Sequence, residues 1–365
     1  MPLRVKGVDW EGQESNLEFS TVVFLVTVML VAHALVRWYR RQNGGTRTRR
    51  RAKKPASAGK LMRAATTASV VVATSLIVVK IVAWVLTGSV SLLSSLVDSI
   101  LDVMASMVNF LAVRRALRPA DADYRFGHGK AEPLAGLGQS AFITGSAMIL
   151  IFEAGERIID PVPIQQPMVG ISVMVLSIAL TVALVLFQRY VVRTTGSTAI
   201  GADALHYETD ALINGSVIVS LGLSSYLGWQ LADPIFALAI ASYLLLGAWR
   251  IARRAVELLM DREFSNGERE KIYNIVLQHP KAKGIHELRT RRSGLQPFIQ
   301  FHLELDGRIS LNLAHKVTDE VETSVKEAFP CAEIIIHQDP FGLVENHPAY
   351  SRVDPRSPKQ GGKIR

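Results

Sequence analysis

The chain has 365 residues, of which 49% are hydrophobic, and a positive mean hydropathy, so its composition predicts a membrane protein rather than a soluble one. A single cysteine, Cys331, excludes an internal disulfide framework and a cysteine-rich zinc cluster. Much of the net charge of +9 lies at residues 37–63, beside a predicted membrane helix. This position indicates a topology signal and contact with anionic lipid rather than nucleic-acid binding.

Seven apolar stretches, each about the length of a membrane span, follow one another along the chain. They cover residues 19–36, 65–87, 90–113, 134–156, 167–187, 203–227 and 233–250. We predict that the first is an uncleaved anchor helix, followed by a disordered linker that is rich in arginine and lacks apolar periodicity. These two segments form an N-terminal extension over residues 1–61, and the other six helices form a membrane domain over residues 62–261.

The loop charges predict the orientation of these helices. Lysine and arginine are concentrated in every second connection, at residues 37–63, 114–132 and 188–202, and again after residue 250. Because positively charged loops stay in the cytoplasm, this alternation places the extreme N-terminus outside and the C-terminal region in the cytoplasm.

Residues 262–340 are predicted to form a cytoplasmic α/β domain, followed by a disordered tail at residues 341–365. Helical spacing or strand-like alternation indicates five elements, at residues 265–279, 284–293, 297–305, 311–329 and 332–339. Their order is αββαβ, which is typical of a small open sheet with both helices on one face.

Four ionisable residues lie inside two of the predicted membrane helices. Asp98 and Asp102 are four residues apart in the third span, and His206 and Asp210 have the same spacing in the sixth. About one helical turn separates the members of each pair, so both project from one face. An aspartate in the middle of a membrane helix costs on the order of 3 kcal/mol. Three carboxylates and one imidazole suit a tetrahedral Zn²⁺, Fe²⁺, Mn²⁺ or Co²⁺ site, which we predict here.

Two other interpretations of this quartet stay open: polar contacts between helices, and a proton relay without metal. A metal site also supplies a coupling mechanism, because metal ions and protons compete for the same carboxylate and imidazole atoms. His206 is the natural proton carrier, since an unperturbed imidazole has a pKa of about 6.5. The sequence does not predict an enzyme, because neither carboxylate pair lies in the glycine-rich strained loop that an intramembrane aspartyl protease needs.

A second set of candidate ligands lies in the α/β domain: His286, His302, His315, His337 and Asp339. The first two lie in the predicted paired strands and His315 lies in the following helix. Strand alternation places His337 and Asp339 on the same side of the last strand. Four histidines at these positions of one small domain predict a second metal site.

The loop before the fourth span carries Asp121, Asp123 and His128. These residues predict either a weak cation site or a solvated polar loop with a tight glycine turn. Lys130, at the start of the next helix, is expected to pair with Asp261 at the end of the last membrane helix.

Together these residues resemble the cation diffusion facilitators and, within that family, the bacterial ferrous-iron and zinc efflux pumps. The resemblance runs from about residue 62 to residue 340 and rests on Asp98-x-x-x-Asp102, His206-x-x-x-Asp210, Phe126-GHGKAE, His286-ELRTR, Ile299-QFHLE and Ile336-HQDP. It implies a homodimeric zinc/proton antiporter of the bacterial inner membrane, with six core helices per protomer and a cytoplasmic domain similar to copper-chaperone folds.

The resemblance also implies roles for the candidate residues. The intramembrane quartet would be the transport site, and the cytoplasmic set would bind zinc as a structural or regulatory ion at the dimer interface, with no other cofactor. Lys130 and Asp261 match a charge interlock that holds the protomers together.

This chain departs from the family pattern in two places. Tyr124 stands where the loop site of the family has a histidine, which leaves Asp121 and His128 of the matching positions. Because tyrosine is a poor Zn²⁺ ligand, three outcomes stay open: a weakened site, a lost site, or a site rescued by Asp123. The N-terminal extension lies outside the pattern. The alternative function is a membrane-anchored metal sensor without transport, which the quartet disfavours because an anchor has no use for four buried ionisable groups.

Overall fold

The computed structural model describes residues 55–87, 90–159, 168–227 and 231–342. The predicted anchor helix at 19–36, most of the arginine-rich linker and nearly all of the predicted tail lie outside the described residues. The predictions for these segments are not tested. The end of the predicted disordered linker was wrong, because residues 55–61 already belong to the first helix of the membrane domain.

Six long helices precede the cytoplasmic domain, as the apolar stretches predict. They are α1 Pro55–Thr87, α2 Val90–Ala116, α3 Ala131–Ile159, α4 Met168–Thr195, α5 Thr198–Leu227 and α6 Ala232–Leu259. Within the described part of the chain, four of them hold segments long and apolar enough to cross a membrane, in α1, α3, α4 and α6. The other two, α2 and α5, carry the predicted intramembrane ligands.

Small side chains allow these helices to approach one another closely. Ala147 on α3 and Ala248 on α6 are almost fully buried in a core that also contains Leu205 of α5. A methyl group on Gly247 of α6 would lie 2.6 Å from Leu205 Cδ2, so a larger residue at this crossing would displace the Leu205 side chain. Lipid is as apolar as leucine, and packing between small residues is therefore a main source of helix association in a membrane.

The cytoplasmic domain has the predicted order αββαβ. Its elements are α7 Asn266–Leu277, β1 Gly284–Ser293, β2 Gln296–Leu305, α8 Leu311–Ala328 and β3 Glu333–Pro340. The sheet order is β1-β2-β3, with β1 antiparallel and β3 parallel to β2. Ile272 of α7, Phe301 of β2 and Val321 of α8 are almost fully buried in one core that joins the strands to both helices.

The hairpin between β1 and β2 contacts the start of α3. A side chain on Gly129 would lie 2.3 Å from the Ser293 carbonyl oxygen, and Gly294, at φ 57°, faces Gly129 from the turn. Beside this contact, Phe126 and Phe298 meet edge to face at 5.8 Å. The loop that carries the third candidate site is therefore held against the cytoplasmic sheet.

Candidate metal centres

The structure brings three of the four predicted intramembrane ligands together. His206 Nε2 lies 2.9 Å from Asp102 Oδ1 and 3.7 Å from Asp210 Oδ2, so α2 and α5 meet at this point. One ligand atom from each residue lies within 4.8 Å of the others. Ligand atoms at about 2.0–2.2 Å from a tetrahedral Zn²⁺ are about 3.3 Å apart, so small movements would close this group around one ion.

The fourth predicted ligand, Asp98, lies on α2 one turn before Asp102, and its side chain is outside the described part of the structure. The helical backbone is continuous between the two positions, which places Asp98 about 6 Å from Asp102 along the helix axis.

A buried carboxylate near this cluster was not predicted from the sequence. Asp203 is fully buried on α5, one turn before His206, and accepts hydrogen bonds from three helices. The donors are Ser69 Oγ at 2.7 Å, Gln188 Nε2 at 2.6 Å and Gln139 Nε2 at 3.3 Å. These bonds tie α1, α4 and α3 to the helix that carries two ligands. The sequence did contain one signal for this residue, an acid within an apolar stretch. Its hydrogen-bond partners could not be predicted, because they lie in other helices.

Two further polar residues of the membrane helices escaped the sequence analysis. Glu132 of α3 is buried, and its Oε1 accepts from the backbone N–H groups of Thr198 at 2.5 Å and Ala199 at 3.2 Å. It thereby caps the first turn of α5 from another helix, where unpaired N–H groups need acceptors. Lys80 of α1 donates to Ser99 Oγ at 2.6 Å, one residue after Asp98.

The cytoplasmic sheet brings three of its predicted ligands into one cluster. His286, His302 and Asp339 each offer a ligand atom within 4.8 Å of the others. Asp339 Oδ2 lies 2.7 Å from His302 Nδ1 and 3.2 Å from His286 Nε2. Asp339 is buried and both imidazoles are half-buried, with the His286 Nε2 atom that faces Asp339 itself out of contact with solvent.

The strand register explains this cluster. His286 pairs with His302 across β1 and β2, and His302 pairs with His337 across β2 and β3. The imidazoles of His302 and His337 are 4.7 Å apart, and His337 Nε2 lies 3.2 Å from Asp339 Oδ1. Glu304 holds His286 Nδ1 at 2.9 Å and so orients its ring.

One predicted ligand of this set lies apart from the others. The His315 imidazole on α8 is 72% exposed and pairs with Asp319 at 3.5 Å. Among the described residues of one chain it is not brought to the cluster of His286, His302 and Asp339.

In the loop before α3, two of the three predicted ligands meet. His128 Nε2 lies 2.8 Å from Asp121 Oδ2. The side-chain hydrogen bond from His128 and the backbone N–H of Tyr124 hold the pKa of Asp121 below its ordinary value, so this carboxylate is ionised at neutral pH. Asp123 donates its backbone N–H to Asp121, and its carboxylate belongs to no metal-type cluster in the described ranges. Two ligands alone form an incomplete site.

The predicted pair of Lys130 and Asp261 forms within one chain. Lys130 Nζ lies 3.0 Å from Asp261 Oδ1 and also donates to the Leu259 carbonyl at 3.2 Å. Both side chains are more than 40% exposed, so the pair is available to a second protomer. The interlock between protomers stays a prediction.

Comparisons with known proteins cover both domains. Residues 66–260 match the model of the cation efflux transmembrane domain, and residues 264–341 match the model of the cytoplasmic domain of cation efflux proteins. The cation-efflux pump FieF of Shewanella oneidensis is 50% identical over 266 residues, which cover 73% of this chain and 90% of that protein. FieF of Salmonella newport is 48% identical over 271 residues, covering 74% and 90%.

A similar solved structure is the metal-bound C-terminal domain of the CzcD transporter from Thermotoga maritima. It is 29% identical, has a TM-score of 0.21, and the match covers 22% of this chain and 93% of that chain.

Proposed function

This chain belongs to the cation diffusion facilitator family of divalent cation efflux transporters, and we propose that it exports Zn²⁺ from the cytoplasm in exchange for protons. We further propose that it works as a homodimer in the bacterial inner membrane, with its C-terminal domain in the cytoplasm. The relatives that support this proposal are cation-efflux pumps by name.

The observation that carries the proposal is the cluster of Asp102, His206 and Asp210 inside the membrane domain. Its three ligand atoms lie within 4.8 Å of one another although two helices contribute them. Ionisable groups at this depth are costly unless they bind a partner, and a dication compensates several of them at once. We propose Asp98, one turn before Asp102 on α2, as the fourth ligand.

The ligand chemistry supports a hard or borderline dication. Carboxylate oxygens with one imidazole suit Zn²⁺, and the same set accepts Fe²⁺ and Cd²⁺. Flux measured with each ion in turn decides the substrate.

Proton exchange follows from competition for the same atoms. A bound Zn²⁺ requires ionised Asp102 and Asp210 and a neutral His206 imidazole, so protons and metal exclude each other. If the cluster faces each side of the membrane in turn, loading protons outside expels the metal, and loading metal inside releases the protons.

The cytoplasmic cluster supports a second role for zinc. We propose that His286, His302 and Asp339 hold a resident Zn²⁺, with His337 beside it. The exposed pair of Lys130 and Asp261 supports contact between two protomers at the junction of the two domains.

Flux into proteoliposomes that contain a zinc-sensitive dye tests the proposal. Asp210→Ala removes one ligand, and we expect zinc flux to fall at least about tenfold, since even outer partners of metal ligands are worth 10–100-fold. Glu153→Gln is the matched control, because Glu153 is an exposed acid of α3 that lies outside the cluster, and it should keep full flux. Unchanged flux in Asp210→Ala would refute the site.

The pH gradient separates exchange from passive transport. An acidic lumen should accelerate zinc uptake by the wild-type protein. A rate of zinc uptake that does not change with the pH gradient would refute proton exchange. Absence of flux with all three metals, together with a zinc-dependent conformational change, would support the sensor alternative instead.

A further inference from the structure

A cavity of about 280 Å³ lies between α4, α5 and α6, and none of the candidate metal ligands lines it. Three arginines line it, Arg189 and Arg193 from α4 and Arg250 from α6, with the apolar side chains of Val192 and Ile251 between them. The cavity is therefore lined by both positively charged and apolar side chains.

The charges in this cavity do not balance. Glu208 of α5 pairs with Arg189 and also accepts a hydrogen bond from Tyr243 at 2.9 Å. Arg193 and Arg250 are exposed, and neither forms an ion pair with a carboxylate among the described residues. Two guanidinium groups beside one cavity thus lack a counter-ion, and guanidinium forks match phosphate oxygens well.

The cavity lies on the cytoplasmic half of the membrane domain. Helix α6 ends at Leu259 and leads into the cytoplasmic domain, and Arg193 lies two residues before the end of α4. Nearby apolar side chains on the same helices point away from the protein: Leu186 is 63% exposed, Leu246 60% and Trp249 68%. In a membrane these side chains face lipid, and tryptophan is typical of the boundary with water.

We propose that this cavity binds the headgroup of an anionic phospholipid from the cytoplasmic leaflet. The phosphate would lie between Arg193 and Arg250, while Glu208 keeps Arg189 oriented at the rim. The acyl chains would follow the exposed apolar side chains of α4 and α6. Basic pockets between membrane helices on the cytoplasmic side are suited to such headgroups.

Such a lipid would join α4 and α6 next to the third helix that lines the cavity. That helix is α5, which carries His206 and Asp210 two residues to either side of Glu208. The proposed lipid site needs none of the metal ligands, so it stands or falls independently of zinc transport.

Binding of defined lipids to the purified full-length chain tests the proposal. Native mass spectrometry in detergent would compare phosphatidylglycerol with phosphatidylcholine on the wild-type protein. Arg193→Gln and Arg250→Gln should each weaken phosphatidylglycerol binding about fivefold, and the double variant about 25-fold. Arg253→Gln is the matched control, because Arg253 lies one turn further along α6 and pairs with Glu257 outside the cavity.

Lysine variants distinguish a loss of positive charge from a general disturbance of the fold. Arg193→Lys and Arg250→Lys keep the positive charge and should bind phosphatidylglycerol more tightly than the glutamine variants. Equal wild-type affinity for the two lipids, or wild-type affinity in the double glutamine variant, would overturn the proposal. Displacement of the lipid by millimolar inorganic phosphate would also overturn it, because the cavity would then be a site for soluble anions.

Discussion

Replacement of Asp203 tests whether this buried carboxylate holds the membrane helices together. In Asp203→Ala three hydrogen bonds disappear. Ser69 can turn its hydroxyl to Ser106, which already lies 3.0 Å away, but the amides of Gln139 and Gln188 lose their acceptor in a buried position. Each orphaned buried donor costs about 1–3 kcal/mol, so we expect a loss of about 2–6 kcal/mol of stability.

Asp203→Asn should cost less, about 1–3 kcal/mol, because only one of the two oxygens is replaced by a donor. A flipped Gln139 amide can then accept from the new NH₂ group. The expected order of stability is therefore wild type, Asp203→Asn, Asp203→Ala. Asp123→Ala, at an exposed acid of the loop, should stay within about 0.5 kcal/mol of wild type.

Denaturant-induced unfolding of the detergent-solubilised protein measures this order. Zinc flux of each folded variant gives a second readout, since α5 also carries His206. An Asp203→Ala protein as stable as Asp123→Ala would show that the three hydrogen bonds contribute nothing and would refute the reasoning.

Two further predictions concern the junction and the cytoplasmic cluster. Gly129→Ala should destabilise the contact with the cytoplasmic hairpin by about 1–3 kcal/mol, because its methyl group would overlap Ser293. The control Gly138→Ala has free space around the new methyl group and should be neutral. Equal unfolding temperatures of the two variants would contradict this prediction. In an Asp210→Ala background, which disables the intramembrane site, His302→Ala should abolish the remaining zinc-induced rise in the unfolding temperature, since bound metal stabilises by mass action. His315→Ala should keep most of that rise, and an equal loss would show that His315 reaches the cluster by another route.

The sequence predicted what depends on local periodicity. Four-residue spacing placed His206 and Asp210 on one face of a helix, and strand alternation placed His337 and Asp339 on one side of β3. Apolar patterning likewise predicted the six long helices and the order of the cytoplasmic elements. These features need no knowledge of distant parts of the chain.

The features that escaped prediction depend on contacts between distant segments. The partners of Asp203 come from three other helices, and the cap on α5 comes from Glu132, 66 residues before the capped Thr198. The same applies to the bulge between His286 and Arg289, where Glu287 adopts φ 49° and turns its carboxylate towards His302 at 3.8 Å. The spacing of residues within one segment does not predict such contacts between distant segments.

The in-register histidines of the cytoplasmic sheet have a consequence for how the chain assembles. Sliding β3 past β2 by a single residue would turn His337 and Asp339 to the opposite face, and Ile336 or Gln338 would then stand opposite His302. With the Zn²⁺ that we propose for this cluster, only the correctly aligned sheet would bind the ion, and binding would favour that alignment over a slipped one.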